Sequence, residues 1–241
     1  MTFWRPSQSW SLTGNVNKLK LNEDKTQDLT VNISSMDNVT SFKFLGILLQ
    51  SNLKWDQHIN SVAAKMTKGI FMIRSLRFSL TPEVLKSIYY AQVHSHLSYG
   101  TALWGVAEKV FILQKRAVRL LCGAHYREHC RSLFIELGIL SFPSLYVLSV
   151  LLYIKQNKCI LAVNSDVHGY NTRNKTNLVV PRCTYSVSYS SFLSTGIRMF
   201  NVLPASIKDL PYVRFKAKMK NILTDMCLYR YEEFFELVKT F

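Results

Sequence analysis

The chain has 241 residues, 48% of them hydrophobic, and its 30 Lys+Arg against 15 Asp+Glu give a formal net charge of +15. That apolar share excludes wholesale disorder and supplies a core for one large domain or two small ones. The basic excess points to a polyanionic partner, nucleic acid or an acidic membrane surface, against the alternative that it only solubilises an apolar chain.

Residues 1–18 are polar with scattered Trp, and Gly14-Asn15 signals a turn. Leu29, Val31 and Ile33 alternate as in a half-buried strand, Asp37-Asn38 makes a turn, and Phe42 to Leu49 is apolar enough for a strand packed on both faces. Together the two strands predict an antiparallel hairpin. Helical spacing then takes over. Ile59, Val62, Met66, Ile70, Ile73 and Leu76 keep to one face, with Lys65, Lys68 and Arg74 elsewhere. Thr81-Pro82-Glu83 reads as a helix start, and the helix runs through Leu85, Ile88, Tyr89 and Val93 toward Tyr99-Gly100. Val110, Leu113, Ala117 and Leu120 mark the next helix, closed near Gly123. Two more are expected at Arg131 to Leu137 and Pro143 to Lys155, around a stop at Gly138.

The stretch from Gly138 to Ile154 carries no charge. It falls short of the ~20 residues that span a bilayer, and Pro143 sits near its start, so a buried helix beginning at Ser141 or Pro143 is expected and no membrane partner. Composition shifts after Ile154. Asn157 to Tyr189 is rich in Asn, Ser and Thr and reads as an irregular linker with a short extended piece at Leu178 to Val180. A short helix is expected at Ser191 to Asn201, a turn between Pro204 and Pro211, and a helical end from Tyr229 to Phe241. Between them Tyr212 to Leu223 is amphipathic: Val213, Met219, Ile222 and Leu223 make its apolar face, and Arg214, Lys216, Lys218 and Lys220 cluster outside it.

Five cysteines, Cys122, Cys130, Cys159, Cys183 and Cys227, include no CxxC pair. Reduced thiols are expected, in the cytoplasm or the nucleus, because the N-terminus shows no apolar signal segment. Cys122, His125, His129 and Cys130 have the spacing C-x2-H-x3-H-C. Zinc sites usually split their ligands into two pairs across a loop, and adjacent His129 and Cys130 diverge on a helix, so no metal site is expected. His94 and His96, two residues apart on a helix, face different sides and find no triad partner. Lys115, Arg116 and Arg119 form a basic face that either meets phosphates or is solvated surface.

Several segments follow one family in order. LKLNEDKT at Leu19 to Thr26, FKFLGILL at Phe42 to Leu49 and LKWDQHI at Leu53 to Ile59 come first. HSHLSYGTALWG at His94 to Gly105, LQKRAVRLLCG at Leu113 to Gly123 and EHCRSLFIELGILSFPSLY at Glu128 to Tyr146 come next. NTRN at Asn171 to Asn174 and FNVLPASI at Phe200 to Ile207 close the series. From about Trp10 to Leu223 the chain resembles reverse transcriptases of non-LTR (LINE-like, jockey-type) retrotransposons. The resemblance implies the end of a right-hand polymerase: a palm remnant at 1–54, a helical thumb-like domain at 55–156, and a linker with a helical tail at 157–241. The expected fold class is mainly α with a small N-terminal antiparallel hairpin.

The resemblance also assigns roles. Lys25 matches the family lysine that approaches the leaving pyrophosphate as a general acid. Phe44, Leu45 and Gly46 match the primer grip, where a glycine either admits a nucleic-acid strand or sits in a packed strand. Lys115, Arg116 and Arg119 fall on a thumb helix, where they would touch phosphates of RNA or an RNA–DNA hybrid without reading bases. In the family two metal ions are held by palm carboxylates in a [FY]-x-Asp-Asp hairpin. This sequence has no Asp-Asp pair, and Asp24, Asp28 and Asp37 are isolated and follow the place of that hairpin. A fragment inactive as a polymerase is therefore expected, with no cofactor of its own, Mg²⁺ belonging to the intact enzyme. Phe42 to His58 is also similar to a short domain named after the N-terminus of an AlkB-homologue RNA-modifying protein. No RNA-recognition module, iron-binding His-x-Asp…His motif or Gly-rich methyltransferase loop supports that chemistry here.

Overall fold

In the computed structural model the residues described are 41–167, 170, 173–181 and 191–239. The chain divides into two compact units, Met1–His58 and Ile59–Phe241.

In the first unit, β1 (Ser41–Phe44) and β2 (Ile47–Gln50) pair antiparallel, Phe42 opposite Leu49 and Phe44 opposite Ile47. This corrects one expectation: FKFLGILL is a complete hairpin and not one strand. The cause is the two-residue loop Leu45-Gly46, both at positive φ (46° and 84°), the backbone of a tight primed turn that matches strand twist. The partner strand expected at Leu29 to Ile33 lies outside the described residues. After β2, Leu53 N–H donates to the Gln50 carbonyl, and the Gln50 side-chain oxygen accepts from Gln57 N–H at 2.9 Å. His58 is buried, and its Nδ1 accepts from Leu48 N–H at 3.3 Å.

Helix α1 (Asp56–Leu76) runs from there and buries Val62, Ala63, Met66, Ile70 and Ile73 on the expected face. Thr81 and Pro82 open the next helix, as anticipated. It comprises α2 (Pro82–Tyr89), a π-helical turn at Tyr90–His94 and α3 (Ser95–Ser98) in unbroken succession. Gly69 of α1 lies so close to Gln92 that a β-carbon there would come within 2.8 Å of the Gln92 carbonyl oxygen. A short α4 (Thr101–Trp104) lies between left-handed Gly100 and positive-φ Gly105. Helix α5 (Glu108–Leu121) ends at left-handed Gly123, whose neighbour Ala124 donates its N–H to the Arg119 carbonyl. Helix α6 (Cys130–Leu137) ends at left-handed Gly138.

Helix α7 (Phe142–Gln156) is the centre of the second unit. Ser141 caps it, its hydroxyl accepting from Ser144 N–H, and Pro143 sits in the first turn, where no N–H is needed. Ten of its 15 side chains are buried, so the charge-free run is a core helix, as expected. Among the described residues no single helix is long and apolar enough to cross a membrane. Helices α6 and α7 reach that length only as a pair bent by 52°.

The linker expected over Asn157 to Tyr189 is partly built. A 3-10 turn at Lys158–Ile160 and α8 (Asn164–Val167) precede an antiparallel bridge between Val163 and Leu178. Helix α9 (Phe192–Val202) supplies the anchor. The Asn201 side chain accepts from Leu178 N–H at 2.9 Å and donates to the Leu178 carbonyl at 2.8 Å, replacing a strand neighbour. Gly196 lets α9 lie against α7, since a β-carbon there would stand 2.5 Å from Val150 Cγ1.

The turn expected between Pro204 and Pro211 is the short helix α10 (Ala205–Lys208). Helix α11 (Tyr212–Met226) buries Phe215, Met219 and Leu223, whereas Val213 is 77% exposed. The apolar stripe therefore runs through Phe215, which keeps i, i+4, i+8 spacing with Met219 and Leu223. Helix α12 (Glu233–Val238) ends the described chain and buries Phe234 and Leu237.

Candidate nucleic-acid interface

Cations in the second unit gather where α5, the start of α6 and Tyr229 meet. Lys115 and Arg119, four residues apart, share one side of α5. The Lys115 ammonium stands 4.7 Å from the Phe111 ring centroid and 5.7 Å from that of Tyr229. Arg119 Nε donates to the Glu128 carbonyl at 2.8 Å. From α6, the Arg131 guanidinium lies 4.8 Å over Tyr229 and reaches Glu233 at 3.4 Å. The His129 ring stacks on Tyr229, centroids 5.6 Å apart and planes within 3°. Cation over aromatic face is favourable electrostatics, and it orders the ring as well as the charge.

Tyr229 is put there by two buried hydroxyls. Ser141 Oγ donates to the Leu228 carbonyl, Ser144 Oγ donates to the Leu223 carbonyl at 3.2 Å, and Leu228 N–H donates back to Ser144 Oγ at 3.1 Å. They fasten the chain leaving α11 to the first turn of α7. Cys227 turns that chain with a left-handed backbone, φ 45°. The Glu233 carboxylate then accepts from the N–H groups of Tyr229 and Arg230. Residues remote in the chain therefore meet because α7 is the shared support.

Charge and burial oppose one another at this site. Burial pushes the Cys130 thiol upward, while the nearby Arg119 and Lys115 pull it back. Burial likewise raises the Tyr229 phenol, against the pull of Arg131 and Arg119. Below the site, buried Gln114 donates to Tyr89 Oη at 3.0 Å and to the Leu140 carbonyl at 2.9 Å, tying α5 to α2 and to the entry of α7. Burial drives the Tyr89 phenol far above its ordinary range, more than the Gln114 bond lowers it. It is a structural neutral group.

Of the residues singled out in the sequence, Lys115 and Arg119 are brought together around Tyr229. Arg116 is exposed on another side of α5. Phe44, Leu45 and Gly46 belong to the other unit, at the hairpin turn, where Leu45 is 74% exposed and Gly46 meets the need for positive φ. Lys25 lies outside the described residues. Arg131 and Tyr229 escaped sequence reasoning as site residues, and His129 was weighed only as a zinc ligand; the helix start at Arg131 was visible, and nothing local couples Tyr229 to α5.

The zinc spacing is not assembled. Cys130 is buried with its Sγ toward the Lys115 carbonyl, and His129 is stacked on Tyr229. Among the described residues no group of three or more His, Cys, Asp or Glu could hold a metal ion. His94 and His96 have different neighbours, Lys220 and Lys65, and burial lowers the pKa of each. An open groove lined by Ala63, Ala64, Thr67, Lys109, Ile112 and Leu113 runs between α1 and α5, and among the described residues Lys109 is the one titratable side chain in it.

No family model, curated protein or solved structure matches this chain.

Proposed function

We propose that this chain is a reverse-transcriptase-derived module, spanning the end of the palm through the thumb of a non-LTR element, that binds RNA or RNA–DNA hybrid through phosphates and performs no polymerase chemistry by itself. The observation that carries the binding reading is the gathering of Lys115, Arg119 and Arg131 around Tyr229, with Arg116 exposed on another side of the same helix. Among the described residues, the only carboxylate within ion-pair distance of these four is that of Glu233, at Arg131. Their charge is therefore mostly uncompensated and remains available to a polyanion. The resemblance quoted above supports the reverse-transcriptase origin, and the mainly helical body with one small hairpin accords with it. The chemical argument against polymerisation is the absence of an Asp-Asp pair to hold two metal ions. Cytoplasm or nucleus, where such polyanions reside, is the matching location.

Phosphate contacts make binding insensitive to sequence and steeply dependent on salt, because each neutralised phosphate releases condensed counterions. Replacing Lys115, Arg116 and Arg119 together by Ala should flatten the slope of log affinity against log salt by roughly two to three units. The apolar positions that hold α5 are untouched by this change. Titration of duplex and hybrid oligonucleotides between low and physiological salt measures it. An unchanged slope would reduce the face to solvated helix surface. Primed template with nucleotides and Mg²⁺ or Mn²⁺ should give no extension; extension abolished by Lys25→Ala would overturn the catalytic half of the proposal.

A further inference from the structure

The loop from Cys122 to His129, between α5 and α6, carries features that a phosphate-binding helix face does not need. Its central side chain, Tyr126, is 66% exposed. It contributes little to the core, and yet it is not isolated. The Arg127 guanidinium lies 5.0 Å over its ring, and the His125 ring sits 4.5 Å away at 49°. The loop backbone is held in shape. Gly123 takes the left-handed turn out of α5, His125 N–H donates to the Glu128 carboxylate at 3.3 Å, and Arg119 holds the Glu128 carbonyl. The exposed His129 ring, stacked on Tyr229, follows three residues after Tyr126. Three residues of chain separate their Cα atoms by at most about 11 Å.

The loop thus offers a π surface backed by a guanidinium, a second ring close by, and the cations of α5 and α6 on the flanks. That combination is what an unpaired nucleobase recognises: a ring face for stacking, with positive charge for the adjoining phosphates. In a duplex the base faces are already stacked on their neighbours and out of reach. A phosphate-only surface would not distinguish the two forms in this way.

We infer that the His125-Tyr126-Arg127 loop is a stacking platform for the unpaired bases of single-stranded RNA or DNA. The inference rests on the nucleic-acid reading and narrows it to a preference for single strands. Tyr126 supplies the stacking face, Arg127 orients the ring and meets a phosphate, and Arg119 acts indirectly by holding the loop.

The test uses the full chain and fluorescently labelled oligo-uridylate, with a duplex of equal phosphate number as comparison. Tyr126→Ala should weaken single-strand binding about fivefold to a hundredfold, the loss expected for one base–aromatic stack. Its duplex affinity and the salt slope on both ligands should stay at wild-type values, because no phosphate contact is lost. Tyr126→Phe, which keeps the ring and drops the hydroxyl, should restore single-strand affinity. Circular dichroism of the variants establishes that the exposed substitution leaves the fold intact. Equal losses on single strand and duplex, or no loss on either while the Lys115, Arg116 and Arg119 triple variant still loses slope, would overturn the platform and leave the phosphate reading standing. Failure of the wild-type chain to bind either ligand would overturn both.

Discussion

Helices α5 and α7 are nearly the same length, 14 and 15 residues, and divide two tasks between them. Helix α7 buries residues on every side and carries one charge, Lys155, in its last turn. Helix α5 buries only Val110, Phe111, Gln114, Ala117 and Val118, and turns Lys115, Arg116 and Arg119 toward solvent or toward aromatic rings. Helix α7 holds the unit together; helix α5 displays charge on what α7 supports. Stability and charge presentation therefore reside in different side chains, and each should be separable by substitution.

The largest separation is expected at Phe142. Its ring is fully buried and lies 5.2 Å from that of Trp104. Phe142→Ala removes that burial and leaves a cavity, costing about 3–5 kcal/mol. Urea unfolding followed by circular dichroism reads the loss. If α7 is the support described, the salt slope of the molecules that remain folded stays unchanged. A midpoint shift as small as that of a surface variant would contradict the central place given to α7.

A second probe acts on the same helix from outside it. Gly196→Ala would place a methyl 2.5 Å from Val150 Cγ1 and 2.9 Å from Ile154 Cγ1. Helix α9 would have to move away from α7. Overpacking of this kind costs about 1–3 kcal/mol, again readable as a lower urea midpoint. Tolerance of the substitution would mean that the close approach of α9 and α7 is not required.

Much of this division was legible in the sequence, and the failures have physical causes. The helix of α7 follows from its charge-free run, the capping serine and a proline placed where a helix start accepts one. The spacing of α1 gave its buried face in the same way, whereas on α5 Val110 and Ala117 are buried as read, Leu113 and Leu120 are half-buried, and Phe111, Gln114 and Val118 complete the face. The hairpin was misread because hydrophobicity alone made Phe42 to Leu49 one strand, although Gly46 inside it supplies the positive φ that a two-residue turn demands. Val213 was placed inside because it is apolar, yet helix geometry gives that face to Phe215. The joining of Tyr229 to Lys115 depends on Ser141 and Ser144 holding Leu228, a tertiary arrangement that no local periodicity encodes. The cationic half of the candidate site could be read from α5, and its aromatic half could not.

Alkaline pH probes the support from a third direction. Burial pushes the Cys227 thiol up to about 11, against the pull of the Arg131 guanidinium, from an ordinary value of 9.0. Below about pH 9 the thiol is protonated whether the chain is folded or unfolded, and it contributes no pH dependence. Between 9 and about 11 the unfolded chain releases this proton while the folded chain retains it. The folded state then binds more protons, so stability falls as pH rises through that window. Cys227→Ala should make the fall shallower, measured by urea unfolding at pH 8, 9, 10 and 11. Part of the decline will remain, because burial also raises Tyr146, to about 12. An alkaline decline identical in the two proteins would show that the thiol does not titrate against the fold.

Arg116→Ala carries the smallest expected effect and isolates what α5 displays. Arg116 is exposed, and Lys115 and Arg119 on the same helix are each engaged with the Tyr229 side, through aromatic rings and the Glu128 carbonyl. Removing Arg116 should change stability by no more than about 0.5 kcal/mol, as for surface substitutions generally. Its only large consequence should be one phosphate contact. The slope of log affinity against log salt should therefore fall by about 0.9 on duplex DNA and about 0.7 on a single strand. Arg119→Ala should remove a similar charge but also release the Glu128 carbonyl, so it should add a small stability loss that Arg116→Ala lacks. A slope unchanged by Arg116→Ala but lowered by Arg119→Ala would confine the interface to the Tyr229 side of α5. Equal slope changes would mean that the polyanion wraps both sides of the helix.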